Sequence, residues 1–517
     1  MAKIKDQLKI GIILNYVNLI VGNLIPIFYT PIMLNLLGQS EYGLYKLASS
    51  VTSYISLMSL GIGSAMTRYL IKSRTEDGED GEKKILGLFS IIFNIIAIAS
   101  FIIGTILVLC LGIFYSNSLT TEELSRMKIL VFMMVVNMAF SFAMSPYLSV
   151  ANAHEKFIYI QVTNILTTCV TPLINLLMLY LGFASIGLVT SSLIMSLCIN
   201  FSYMVYVRKQ MHIKPIFKQL PVKILKEILK FSFWIFVANI VTQLYNATDT
   251  VLIGAIPTLA TTGVAVYNIG ATFNNIVISL TTGFSNLLGP KINKMVFSDA
   301  TNHELSDLAI KIGRLQCYII MLLISGFISF GKPFLEFYAG KGYEDAYLIA
   351  IFMMIPNVIP LIQSVFLSII VAKNMHRFRS LVYLFIAVIN IIGTWILLNY
   401  MGIIGAALMT GLALLLGQGL IMNIYYSKKV KLDVSRFWKK VFPIIPIPVL
   451  LTVITSVISN YIDFYNIFNL LVGIIIFTLL YCVANWFFVF NQYEKSIILN
   501  PINKIINKFK NKRGTIT

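Results

Sequence analysis

Asp249 lies in the apolar run from Phe233 to Gly254, and it is the one carboxylate expected inside a hydrophobic stretch. A buried acid in such a place binds something or is costly, so it marks a functional site by default. Its chemistry would be to hold Na⁺ or a proton and couple movement of a solute to an ion gradient. Asn390 and Thr394, one helical turn apart in another apolar run, could supply further oxygens. The plainer reading is an Asp that bonds neighbouring hydroxyls. Two cations stand in similar places. Lys46 sits near one end of an apolar run and Arg68 near the other, and together they could attract a diphosphate, arginine through paired bonds and lysine as a point charge. Either could instead snorkel to the headgroups.

Uncharged polar residues recur around these groups at helical spacing. Asn15 and Asn18 share one run, and Ser53 follows Lys46 in the next. Asn239, Gln243 and Asn246 precede Asp249, and Asn268 and Asn275 lie in the run after it. Three- or four-residue spacing puts each set on one side of its helix. These ten residues (Asn15, Asn18, Lys46, Ser53, Arg68, Asn239, Gln243, Asn246, Asn268 and Asn275) are the expected substrate path. Amides and hydroxyls that merely join helices would look similar one at a time. The four richest stripes fall in matching places of a repeat.

The elements that must hold these residues are membrane helices. Of the 517 residues, 58% are apolar and 12% charged, against roughly a quarter charged in a soluble domain. Runs of about 20 apolar residues can cross a bilayer. The pattern predicts an all-α, polytopic membrane protein with about fourteen transmembrane helices. The approximate spans are 10–37, 43–71, 85–115, 126–151, 158–181, 184–207, 230–254, 260–288, 312–331, 347–371, 380–400, 402–426, 442–462 and 467–490. With the N-terminus in the cytoplasm, Arg126, Lys128, Lys332 and Lys341 fall outside and Lys46 and Arg68 within a span. The rest of the 40 Lys and Arg lie on the cytoplasmic side. Basic residues resist translocation, so both termini are expected inside.

The first six spans resemble the next six. Leu8-Lys9 pairs with Leu229-Lys230, Asn18 with Asn239, Gly43 with Gly263, Gly63 with Gly283, and Gly182–Thr190 with Gly402–Thr410. This suggests an N-terminal six-helix lobe (1–207), a cytoplasmic linker (208–229), a second six-helix lobe (230–426), an appended helix pair (427–490) and a basic cytoplasmic tail (491–517). Parallel repeats of this kind enclose a substrate path and rock around it.

Several functions are disfavoured. The net charge of +19 is spread over short loops, so nucleic acid is not the expected partner. The five cysteines lie in apolar runs without a CxxC pair, and the four histidines are scattered through inside loops, so neither a metal nor a catalytic cluster is expected. There is no phosphate-binding glycine-rich loop and no large outer domain to hold an active site. The acidic run Glu76–Glu82 reads as a solvated loop. The basic start leads into an apolar run without a small-residue cleavage site and is expected to remain as the first span.

Two pairs of segments carry a resemblance. Thr30-Pro31 through Gly38, Glu41-Tyr42-Gly43 and Tyr45 to Ala48 resembles the first loop of Wzx-type polysaccharide flippases, as does Leu60-Gly61 through Gly63, Ala65 and Arg68-Tyr69. Asp249-Thr250 to Gly254 and Gly263 to Tyr267-Asn268 are similar to spans seven and eight of the wider superfamily that includes multidrug extruders. The resemblance covers the whole chain. It implies a two-lobed fold with alternating access in the cytoplasmic membrane of a bacterium. It also implies a substrate of oligosaccharide on undecaprenyl diphosphate, carried to the outer leaflet for capsule, O-antigen or exopolysaccharide. Membrane lipids, a polysaccharide polymerase and glycosyltransferases would be its partners. No cofactor is implied beyond Na⁺ or H⁺ coupling. A peptidoglycan-precursor flippase or multidrug extruder of the same superfamily is the alternative, and a membrane polymerase or ligase a second.

Overall fold

The computed structural model describes the backbone of residues 2–221, 224–286, 289–373, 375–497 and 499–500. Most of the expected basic tail, and the side chain of Asn246, lie outside the described residues. Among those described, every regular element is a helix. In hydrocarbon each backbone N–H and C=O must be bonded within its own segment, and helices meet that demand.

The first helices are α1 (Ala2–Leu37), α2 (Gln39–Ser53), α3 (Ile62–Tyr115), α4 (Thr121–Ala153), α5 (Phe157–Tyr180) and α6 (Ala184–Val205). Next come α7 (Leu225–Gly254), α8 (Ala260–Asn286), α9 (Gly289–Phe297), α10 (Asn302–Ala339), α11 (Ala346–Ile362) and α12 (Ser364–Ala372). The last are α13 (His376–Leu414), α14 (Met422–Lys428), α15 (Val434–Val441), α16 (Pro446–Ile458) and α17 (Ile467–Phe488). α4 starts with a capping box, in which Thr120 accepts from the Glu123 N–H and the Glu123 carboxylate accepts from the Thr120 N–H.

Among the described residues, eleven helices are long and apolar enough to cross a membrane, or twelve if the bent pair α11–α12 is one span. This count takes α13 once although it breaks at Gly402, and it leaves out the 15-residue α2. α3 and α13 each run through a glycine with non-helical geometry, Gly78 (φ 70°, ψ −158°) and Gly402 (φ 60°, ψ −148°). At Gly402 the break falls between the expected spans 380–400 and 402–426. The expected second span is instead broken. Ser53 and Ser56 donate to the carbonyls of Ser50 and Ser53, a 3₁₀ stretch covers Tyr54–Ser59, and Leu60 and Gly61 are left-handed. Hydroxyls that take backbone carbonyls compete with the helix.

The chain forms two compact units. The first is Met1–Gly270 with Tyr338–Ile349 and Tyr383–Thr410. Its core includes Phe89, Phe93, Tyr147 and Tyr203. The second is Ala271–Phe337 with Ala350–Val382 and Gly411–Thr517, and its core joins Phe330 and Leu451 to Phe464, Phe477 and Tyr481 of the last helix pair. Both show apolar side chains outward: Leu109 is 73% exposed and Phe468 71%, which suits lipid rather than water.

The acidic run is exposed over residues 76–80, as a solvated segment would be, but not at its end. Residues 76–82 are helical apart from the break at Gly78, and Glu82 is buried at 2% exposure with an oxygen 2.7 Å from His154 Nε2. A buried carboxylate requires such a partner.

Candidate functional site

Asp249 lies on α7, five residues before its C-terminal end, and is 2% exposed. Tyr267 of α8 donates to Asp249 Oδ2 at 2.5 Å, and Thr410 of α13 donates to the same oxygen at 2.6 Å. Thr394 of α13 donates to Oδ1 at 3.3 Å. Asn390 completes the group, with its amide nitrogen 3.3 Å from the Thr410 hydroxyl oxygen. Asn390, Thr394 and Thr410 are at most 1% exposed.

α13 supplies three of these side chains because it folds back at Gly402. Its two arms come very close. A Cβ added at Gly405 would lie 2.4 Å from the Leu397 carbonyl oxygen, and one at Gly393 would lie 2.5 Å from the Met409 sulfur. Glycine at these points lets the arms pack, and Thr410 then faces Asn390 across the hairpin. The expected trio of Asp249, Asn390 and Thr394 is thus brought together in the first unit.

Tyr267 and Thr410 were not singled out from sequence as members of this group. Tyr267 follows Asp249 by 18 residues in a stretch similar to spans seven and eight of the superfamily, and Thr410 ends a segment of the internal repeat. Neither signal points to the carboxylate without the fold.

All the donors to Asp249 are neutral hydroxyls. Among the described residues no Lys, Arg or His forms an ion pair with it. When ionised, the carboxylate carries a charge that hydroxyls share but do not cancel. Thr410 has one proton, and the bond to Asp249 is much shorter than the 3.3 Å contact to Asn390 Oδ1. That leaves the Asn390 amide oxygen as an acceptor with capacity to spare. One carboxylate with neutral oxygens suits a proton or a hard monovalent cation rather than a soft transition metal. Among the described residues no three His, Cys, Asp or Glu side chains converge.

The expected path residues are placed unevenly. Gln243 of α7 donates to Ser53 of α2, so these two stripes meet directly. One turn further on, the Tyr54 and Thr248 hydroxyls lie 2.7 Å apart, beside Asp249 in sequence. Asn268 Nδ2 is 3.3 Å from Thr250 Oγ1. Asn18 accepts from Thr168 and so faces α5. Asn15, Arg68, Asn239 and Asn275 are exposed, Asn275 in the second unit. Lys46 is half-buried, with its ammonium 5.4 Å from the centre of the Tyr42 ring. The structure does not bring Lys46 and Arg68 to one point: they lie on α2 and α3, on either side of the 3₁₀ break.

A protein family described as polysaccharide biosynthesis protein matches residues 8–294. No curated protein matches the chain in sequence. Among solved structures, the lipid II flippase MurJ in an inward closed conformation is similar, with a TM-score of 0.71 at 17% identity, covering 92% of this chain and 98% of that one. A MATE transporter of Vibrio cholerae gives 0.57 at 14% identity, covering 84% and 100%. An inward-facing multidrug resistance MATE family transporter gives 0.55 at 14%, covering 81% and 99%. At these identities the likeness is one of fold.

Proposed function

The chain belongs to the polysaccharide biosynthesis protein family, and from that premise we propose that it is a flippase for lipid-linked oligosaccharide rather than an enzyme. Its cargo would be oligosaccharide repeat units on undecaprenyl diphosphate, carried from the inner to the outer leaflet of a bacterial cytoplasmic membrane for capsule, O-antigen or exopolysaccharide. Both termini would be cytoplasmic. Two six-helix lobes, 1–207 and 230–426, would alternate in access, with the pair 427–490 appended. Glycosyltransferases would supply the substrate and a polymerase would consume it.

The observation that carries this reading is the family match over residues 8–294, the stretch that bears every expected path residue. Uncharged amides and hydroxyls suit the hydroxyl groups of a sugar, and Lys46 and Arg68 suit a diphosphate. Asp249, with Asn390 and Thr394, would take up the coupling Na⁺ or H⁺. A lone ionisable group in a span is where transporters place such a task.

Deleting the gene should strand lipid-linked repeat units on the inner leaflet and remove surface polymer. Normal polymer in a deletion strain with no second flippase would end the proposal. A multidrug extruder would instead export a cationic dye, and a peptidoglycan-precursor flippase would restore growth when MurJ is depleted. Lys46→Ala and Arg68→Ala should reduce export without unfolding the chain. Export at the wild-type rate in both variants would retire them as diphosphate ligands.

A further inference from the structure

A cavity separate from the Asp249 group opens among α2, α4 and α6 of the first unit, with Tyr45, Met134, Met138 and Val189 in its wall beside polar side chains. Its volume is about 240 Å³, and Ser49, Thr52, Ser53, Asn137 and Ser192 bring polar side chains to its wall. No charged residue lines it. A cavity of roughly 150 Å³ admits a benzene ring, so this one has room for a six-membered sugar ring with exocyclic groups.

The wall is rich in acceptors. Thr52 donates its proton to the Ala48 carbonyl at 2.7 Å, Ser53 to Ser50 at 2.6 Å and Ser192 to Leu188 at 3.0 Å. Each hydroxyl oxygen keeps lone pairs but has spent its hydrogen. Asn137 adds a buried amide oxygen with no partner. Turning the amide over would leave its nitrogen there instead, so one end of Asn137 needs a partner either way. A buried polar atom without one is costly and calls for an explanation.

We propose that this cavity is a subsite for an uncharged, hydroxyl-bearing sugar ring, held by Asn137 and by the hydroxyl oxygens of Thr52, Ser53 and Ser192. The proposal rests on the flippase reading and names the part of the cargo taken there. Sugar hydroxyls can donate to these oxygens and can accept from the Asn137 amide N–H groups and the Tyr45 and Ser49 hydroxyls of the same wall. A cation would find no carboxylate there. Ser53 also accepts from Gln243, so it links the cavity to the expected path.

The test uses the full chain in lipid nanodiscs, with glucose, galactose, mannose and N-acetylglucosamine as probes and thermal stabilisation as the readout. At least one sugar should bind the wild type, and Asn137→Ala should weaken it by roughly three- to tenfold, the value of one neutral hydrogen bond. Ethidium and inorganic pyrophosphate should not distinguish the two proteins. If Asn137→Ala does not fold, Ser192→Ala carries the same comparison. Sugar affinity unaltered in both variants, or no sugar binding to the wild type (a cavity for water only), overturns the subsite. Export separates the two readings. Wild-type export with unaltered export by Asn137→Ala removes the subsite and leaves the flippase, whereas no export by the wild type removes the flippase.

Discussion

Two buried carboxylates divide the molecule by how their charge is met. In the second unit, Glu494 is 2% exposed and lies against Arg314 of α10, with Nε 2.6 Å from Oε1 and Nη2 3.0 Å from Oε2. The same guanidinium donates to the carbonyls of Lys440 and Val489, and Tyr318 adds a hydroxyl to Glu494 at 3.1 Å. In the first unit, Asp249 is as deeply buried but receives only the hydroxyls of Tyr267, Thr394 and Thr410. The difference teaches what each group can do. A carboxylate held by a fork of arginine bonds is neutralised and ties the last helices to α10. A carboxylate solvated by hydroxyls alone keeps the capacity to take up a cation.

Breaking the Arg314 clasp should have the largest effect. Arg314→Met leaves Glu494 buried and unpaired, and should cost about 3–5 kcal/mol of stability by thermal unfolding in detergent. The double change Arg314→Met with Glu494→Leu should recover most of that loss. An equal loss in the double variant would mean that the clasp acts through packing, and the contrast with Asp249 would fail.

The next effect lies at Asp249. If the site takes sodium, a concentration about a hundred times the dissociation constant should stabilise the wild type by about 2.7 kcal/mol, and Asp249→Asn should show none of it. If the ion is a proton, the matching loss is in the dependence of transport on pH. Asp249→Asn should fold, because Tyr267 and Thr410 can still donate to an amide oxygen while Thr394 turns to accept from the amide N–H. Ion dependence of transport left unaltered by the substitution would remove Asp249 from coupling. Thr410→Val is smaller: it keeps the shape and deletes the short bond, for about 1–2 kcal/mol of stability and a few-fold loss of cation affinity. Tyr267→Phe should be the mildest, near about 1 kcal/mol. Should it exceed Thr410→Val, the phenol rather than the threonine would be the main support of the carboxylate.

The membrane-spanning helical nature of the chain is legible in its composition, since long apolar runs leave the backbone no other way to satisfy itself. The number of spans is less so. Hydropathy does not register that Ser53 and Ser56 draw off carbonyls, whereas the turn at Gly402 falls where the expected spans 380–400 and 402–426 meet. At the candidate site, Asp249 was legible because a charge stands out against an apolar background. Tyr267 and Thr410 were not, because a hydroxyl in a span is common and its partner lies far along the chain. Glu82 was misread for the opposite reason: it sits in a charged run that looks solvated, and only the approach of His154 explains its burial.

By itself the sequence determined the material of this protein: apolar helices, basic residues gathered in the short connections between them, and one acid where no acid is cheap. Those follow from transfer energies that each residue carries wherever it stands. The tertiary structure decided which oxygens surround that acid, that arginine meets Glu494 and not Asp249, and that Asn137 faces a cavity. Such pairings depend on where helices hundreds of residues apart are brought to within a hydrogen bond, and local periodicity carries no information about that distance.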